Sequence, residues 1–324
     1  MKKISIILLL TFSALSSVLS STPSMIDFER QWRFPRELSG FKFLGAEKYK
    51  NEDQGYSLYY GTAEEGPVLE VSVLNQGFET IPDGCKSSEI KTFLQNAESE
   101  LKWKVDQKQL KNLSRLKDIV APPKNKISFR CARFEYTEAD TPSESLHKVV
   151  GVTGNQNQFV AFRYLTTNDL LTAITQTSSA LSQMLAEHPE KDQILLDACA
   201  LFLESPSSFP GLLSAQYLMG QAQNMDNLNV YPQFFVWPKS YYAKPRNADL
   251  LVAAYFAGVL QVVVPAHLDE GGEFEGFIAM LNTYEKLRKV DQIQSIEELD
   301  KWLKTSDKKA LFQEVISRPL PDDE

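Results

Sequence analysis

The strand-like spacing of apolar residues disappears from this chain near residue 190, and that change limits the fold more than any other feature. In 67–74, Leu69, Val71 and Val73 stand between Val68, Glu70 and Ser72, the two-residue repeat of a strand. Past the change the repeat is three and four, as in Ile194, Leu195, Ala198 and Phe202, which is one face of a helix. The 324 residues are enough for two ordinary domains. The sequence therefore predicts an α+β sheet domain over 40–188 and an all-α domain over 189–317. Residues 21–39 read as a linker or N-terminal extension, and 318–324 as an acidic tail.

Within the first half, strands are predicted over 40–46, 55–60, 67–74, 116–120, 127–136, 146–152 and 158–165. Ile90, Phe93, Leu94, Ala97 and Leu101 form a helical face between the third and fourth strands, with Ser87 or Ser88 as its cap. Asp169 opens a second helix with Leu170, Ile174, Leu181, Met184 and Leu185 on its apolar face. In 127–136 the apolar residues move from odd positions (Ile127, Phe129, Cys131) to even ones (Phe134, Tyr136), which predicts a β-bulge near Cys131-Ala132. Short connections favour antiparallel neighbours, so the expected architecture is a twisted antiparallel sheet with flanking helices. In the second half, Leu212-Leu213-Tyr217, Leu250-Leu251-Ala254-Gly258 and Phe274-Phe277-Ile278-Leu281 give further helical faces. Ser295 and Glu298 make a capping box before Leu299 and Trp302.

The order β-β-β-α-β-β-β-β-α resembles the PsbP-like α+β domain. That is a resemblance of element order and implies no catalytic residues. The runs Gly55-Tyr56-Ser57-Leu58-Tyr59-Tyr60, Val71-Ser72-Val73-Leu74-Asn75-Gln76-Gly77 and Ile81-Pro82-Asp83-Gly84 are similar to a family of uncharacterised secreted bacterial proteins. The similarity covers roughly 28–165. It implies an exported address and a domain boundary, and no activity.

Residues 1–20 also point outside the cytoplasm. Lys2 and Lys3 precede an apolar run from Ile4, and Val18-Leu19-Ser20 supplies a cut site after Ser20; that is the order of a secretory signal peptide. An uncleaved anchor is the competing reading, but a span needs ~20 largely apolar residues, and this run holds Ser13, Ser16 and Ser17. The most apolar later run, 250–265, is bounded by Asp249 and His267, so no transmembrane segment is expected after cleavage. The expected location is periplasmic or secreted. Without Lys2 and Lys3, 32 Lys and Arg face 42 Asp and Glu, and the formal charge moves from −8 to −10. An acidic chain with no long basic run argues against nucleic acid as a partner.

Three cysteines are few for an exported protein. Cys85 and Cys131 are the candidate disulfide pair, and Cys199 reads as a buried small hydrophobe. None has a histidine within ten residues. The chain has three histidines, His147, His188 and His267. No G-x-S-x-G elbow, H-E-x-x-H or C-x-x-C occurs, so no catalytic residue, metal ligand or cofactor is assigned. His267 reads as a polar residue at a helix C-terminus, and the serines of 178–182 and 205–208 read as helix surface and loop. The acidic loop Asp269, Glu270, Glu273 and Glu275 with Gly271, Gly272 and Gly276 offers oxygen ligands to calcium but lacks EF-hand spacing. A solvated inter-helix loop with acidic residues at the next helix's N-terminus accounts for it without a metal. Gly151-Val152-Thr153-Gly154 is a hairpin end rather than a phosphate loop.

The candidate binding surface is the aromatic, proline-punctuated segment Tyr231, Phe234, Phe235, Trp237, Tyr241 and Tyr242. Exposed rings there suit a peptide or glycan. The competing reading is that they plug the helical half against the sheet. The sequence thus favours an exported, non-enzymatic envelope protein with a binding or accessory role, its partner a protein, peptide or glycan. A hydrolase with residues from separated positions is the first alternative. A secreted factor acting on a host or competitor is the second.

Overall fold

The apolar runs of the first half build one large antiparallel sheet. The computed structural model describes residues 22–50, 55–62, 64, 66–122, 127–140, 145–166, 170–223, 225, 229–235, 246–268 and 270–319. The leader lies outside these residues. The strands are β1 (Met25–Asp27), β2 (Trp32–Phe34), β3 (Glu37–Leu38), β4 (Phe41–Lys48), β5 (Tyr56–Thr62), β6 (Gly66–Leu74), β7 (Leu110–Ala121), β8 (Phe129–Glu138), β9 (Ser145–Asn155) and β10 (Gln158–Thr166). The helices are α1 (Ser88–Asp106), α2 (Leu170–Ala186), α3 (Lys191–Glu204), α4 (Phe209–Ala222), α5 (Ala248–Ala266), α6 (Glu273–Lys289), α7 (Glu297–Lys304) and α8 (Lys308–Ile316). Eight strands pair antiparallel in the order β3-β4-β5-β6-β10-β9-β8-β7. The chain is α+β, with its helical run in the second half.

Both faces of the sheet centre are buried. On one face Leu58, Leu69, Val71, Phe129, Cys131, Val149, Val160 and Phe162 pack with Ile174, Leu181 and Met184 of α2. On the other, Ala132, Phe134, Val150, Val152, Phe159 and Ala161 pack with Ile90, Phe93, Leu94 and Leu101 of α1. Ser87 caps α1 by accepting the Ile90 N–H at 3.3 Å. Opposite the Phe162 ring stands Gly151, where a Cβ would lie 2.3 Å from ring carbons.

Two-sided burial accounts for the change of parity along β8. Phe129 and Cys131 face one core, Ala132, Phe134 and Tyr136 the other, and β8 pairs with β9 in unbroken register from Arg130↔Val152 to Thr137↔Ser145. The change of parity therefore marks a change of which face is apolar. The register shift at Leu116/Ile119 falls opposite Arg133 and Cys131, so a bulge does lie beside Cys131-Ala132, with its extra residue on the edge strand β7 rather than in β8; a second shift lies at Lys111/Ser114. The serines of α2 are a second correction. Ser178 and Ser182 are buried, and their hydroxyls donate to the Thr175 and Ile127 carbonyls, so no polar group is stranded.

Residues 21–39 are more than a connector. Met25–Asp27 and Trp32–Phe34 form a hairpin whose Met25, Trp32 and Phe34 enter the core beneath the sheet. Ile26 packs with Ile194 and Leu201 of α3. Arg33 pairs with Asp197 at 2.6 Å, both largely buried, and Arg36 pairs with Glu204 one helical stretch later. The hairpin thus clamps α3 to the sheet half, while Phe209 and Leu213 of α4 pack on the sheet's own core.

The helical half is built around α5, which is long and apolar enough to cross a membrane by length and composition alone. That exceeds the expectation from the apolar run, because Asp249 fits inside its first turn. Here α5 is enclosed: Leu251, Ala254, Tyr255, Ala257, Gly258 and Leu260 are buried. It crosses α6 closely enough that a Cβ on Gly258 would lie 2.6 Å from the Glu275 carbonyl oxygen, and one on Gly276 2.8 Å from that of Tyr255. His267 ends α5 in the left-handed region (φ 51°), with its N–H on Val264 O and that of Leu268 on Val263 O, a Schellman-type stop. In α4, Leu212 is exposed and the helix buries Gly211, Ser214, Ala215 and Leu218 instead.

The expected Ser295–Glu298 capping box is not formed. α7 begins after Ile296, whose N–H donates to the Tyr284 hydroxyl at 2.8 Å; that hydroxyl reaches Asp300 Oδ1 at 2.8 Å. Ser295 bonds to the same carboxylate. Glu298 instead accepts from Arg318 at 2.7 Å and Trp302 Nε1 at 3.2 Å, which fastens the start of the tail.

Candidate functional site

The hairpin, the ends of the central strands and α4 enclose a cavity of about 710 Å³. Its polar side is set by a turn. Asp27 ends β1, and its Oδ1 accepts the Arg30 N–H at 3.1 Å, an Asx-type bond that shapes residues 28–31. Its Oδ2 accepts from Arg30 Nη1 at 3.0 Å and from the Tyr56 hydroxyl of β5 at 2.9 Å. Arg30 also pairs with exposed Glu29 at 3.0 Å, and its guanidinium carbon lies 5.8 Å from the Trp32 ring centre. A buried carboxylate with three donors is well compensated.

Apolar walls complete the cavity. Phe28 stacks on Tyr217 of α4 with centroids 4.2 Å apart and planes 11° apart. Met25, Val73, Phe209 and Leu213 add aliphatic and ring surface, while Lys48, Asn75, Gln158 and Gln216 bring polar groups to the same lining. Burial, reinforced by the Asp27 charge, pushes the Tyr56 phenol well above its usual range. Tyr56 therefore remains a donor to Asp27, and the pair fixes the shape of the cavity.

The aromatic segment sits elsewhere. Phe234 is 1 % exposed in the core of the helical half, with ring centroids 4.9 Å from Phe277, 5.6 Å from Phe312 and 5.7 Å from Tyr255. Phe235 meets Tyr255 edge-on at 6.1 Å, and Tyr231 lies between Phe234 and Phe312 at 5.6 and 6.5 Å. Phe234 thus fills the helical core itself, and half-buried Tyr231 and Phe235 pack against that core. Trp237, Tyr241 and Tyr242 lie outside the described residues.

Cys85, Cys131 and Cys199 are buried free thiols, so the candidate Cys85–Cys131 bond is not formed here. Cys131 belongs to the sheet's core beside Phe129. Burial pushes its thiol up to about 12, with the neighbouring Cys85 adding to the shift. His188 and His267 are exposed, and among the described residues no histidine is hydrogen-bonded to a carboxylate. In the acidic loop, Asp269 lies outside the described residues, and Glu273 and Glu275 occupy the first turn of α6, where they favourably meet the helix dipole. Gly276 is required by the α5–α6 crossing.

No known protein family matches this chain, and no curated protein does. What the cavity can hold is set by its own walls: apolar rings and aliphatic groups for a ligand's body, amides and one lysine for its polar edge. Residues 25–34 supply much of the site, yet the expected linker covers them. A readable signal was present, because Met25-Ile26-Asp27 and Trp32-Arg33-Phe34 flank the four-residue turn Phe28-Glu29-Arg30-Gln31.

Proposed function

We propose that this chain is an exported, non-enzymatic envelope protein that binds a small amphipathic ligand, such as a peptide end or a glycan unit, in the junction cavity. The observation that carries the reading is the cavity of about 710 Å³ with stacked Phe28 and Tyr217 on its wall, within the ~300–1,000 Å³ usual for small-molecule sites. The polar groups there support binding over catalysis, because Asp27, Arg30 and Tyr56 are engaged with one another. The leader sequence supports export and a periplasmic or secreted location.

Native mass spectrometry of the protein recovered from its producing cells tests both parts. The expected result is a chain beginning at Ser21 that carries a non-covalent small-molecule adduct. A chain retaining its leader would refute the export reading, and a mature chain with no adduct would refute the ligand reading.

A further inference from the structure

A second cleft, about 370 Å³, lies on the α1 side of the sheet. Its floor crosses five adjacent strands through Tyr59 of β5, Glu70 of β6, Arg163 of β10, Lys148 of β9 and Tyr136 of β8. Arg163 is paired with Val150 and Leu165 with Lys148, so Arg163 and Lys148 are diagonal cross-strand neighbours. We infer that this cleft binds a small aromatic carboxylate, with its charge held between Lys148 and Arg163.

The cations here are poorly matched within the protein. Glu70 Oε1 accepts from Ser57 at 2.8 Å and Ser72 at 2.9 Å, and Arg163 Nη1 reaches its two oxygens only at 3.4 Å. Glu100 is shared between Lys104 at 3.6 Å and Lys148 at 3.9 Å. The Lys148 side chain is 18 % exposed, and its ammonium makes no hydrogen bond among the described residues. Burial holds its ammonium below the usual lysine value. Glu100 opposes that shift, whereas Arg163 and Lys104 push the same way. A carboxylate entering between Lys148 and Arg163 would supply the missing acceptors, with charge-assisted bonds to both and a planar fit to the guanidinium.

The walls limit the rest of the ligand. Tyr59, Tyr136, Leu101 and Leu165 present ring and aliphatic surface, which suits an apolar body. Glu70 and exposed Glu138 line the cleft beside Lys104, Lys148 and Arg163, and the apolar walls favour an anion with an apolar body over phosphate, which has none.

Isothermal titration of the mature protein at low salt with benzoate, benzamide and inorganic phosphate tests the inference. Saturable benzoate binding is expected, with benzamide and phosphate each weaker by about tenfold or more, the scale of one charge-assisted bond. Lys148→Met and Arg163→Gln should each cost about tenfold in benzoate affinity. Glu138→Gln, at an exposed position, should tighten it. Gln216→Trp in the junction cavity should leave it unchanged, which separates this site from the other. Equal binding of benzoate and benzamide, tighter binding of phosphate, no benzoate binding at millimolar concentration, or indifference to Glu138→Gln would each overturn the inference.

Discussion

Truncating Phe234 to alanine separates a core anchor from a recognition residue. The ring is 1 % exposed and touches Phe277, Phe312, Tyr255 and Tyr231 at centroid distances of 4.9 to 5.7 Å. Three of those partners sit on α5, α6 and α8, each held by its own helix, so the space left by the ring cannot easily collapse. A Phe→Ala change in such a core costs about 3–5 kcal/mol. With roughly 2–4 °C lost per kcal/mol in a chain of this scale, the melting temperature should fall by about 6–20 °C. Urea titration followed by circular dichroism reads the free energy directly. Phe235→Ala, at a half-buried ring that meets Tyr255 edge-on, should cost about 1–2 kcal/mol. A double-mutant cycle with Phe312→Ala should return a coupling of about 0.5–1.5 kcal/mol. A Phe234→Ala protein within about 0.5 kcal/mol of wild type would refute the reasoning and return the segment to the surface.

Four further outcomes follow from the packing. Burial raises the Asp197 carboxyl despite its pairing with Arg33, so the folded state holds that proton more readily than the unfolded chain. Its contribution to stability therefore falls as pH rises from about 3.9, the ordinary aspartate value, through the raised folded value. Urea titrations should show the stability difference between wild type and Asp197→Asn shrinking over that window; a growing difference would contradict the assignment. Gly276→Ala places a Cβ 2.8 Å from the Tyr255 carbonyl oxygen and should destabilise by about 1–2 kcal/mol net of its helix propensity gain. Gly220→Ala, whose Cβ would meet nothing within 4 Å, should stabilise by about 0.5–1 kcal/mol, both read from urea midpoints. Buried Cys85, Cys131 and Cys199 should resist a thiol reagent in the native state and react three per chain in denaturant. One thiol per denatured chain would mean that a disulfide forms.

The strand and helix order was legible because each element carries a clear period. Ile90, Phe93, Leu94, Ala97 and Leu101 are the buried residues of α1, the same five that the 3.6-residue spacing picks out. What the period could not reveal was which partner covers each face. The apolar positions of 127–136 change parity because two cores meet at β8, and Ser178 and Ser182 look solvated although the Thr175 and Ile127 carbonyls accept their protons. Ser295 and Glu298 have the spacing of a capping box, but Tyr284, distant in sequence, reaches the helix start first. The candidate site was hidden for the same reason. Asp27, Tyr56 and Tyr217 are far apart in sequence, and no local motif announces that a short N-terminal hairpin brings them together.

The central claim, that the junction cavity accepts a ligand, is tested most directly with a neutral apolar fluorophore, N-phenyl-1-naphthylamine. Titration should give saturable enhancement at one site in the wild-type protein. Gln216→Trp, which carries an indole from an exposed position on α4 into the cavity lining, should abolish that enhancement while leaving the urea midpoint unchanged. Enhancement that never saturates, or that survives Gln216→Trp undiminished, would contradict the account.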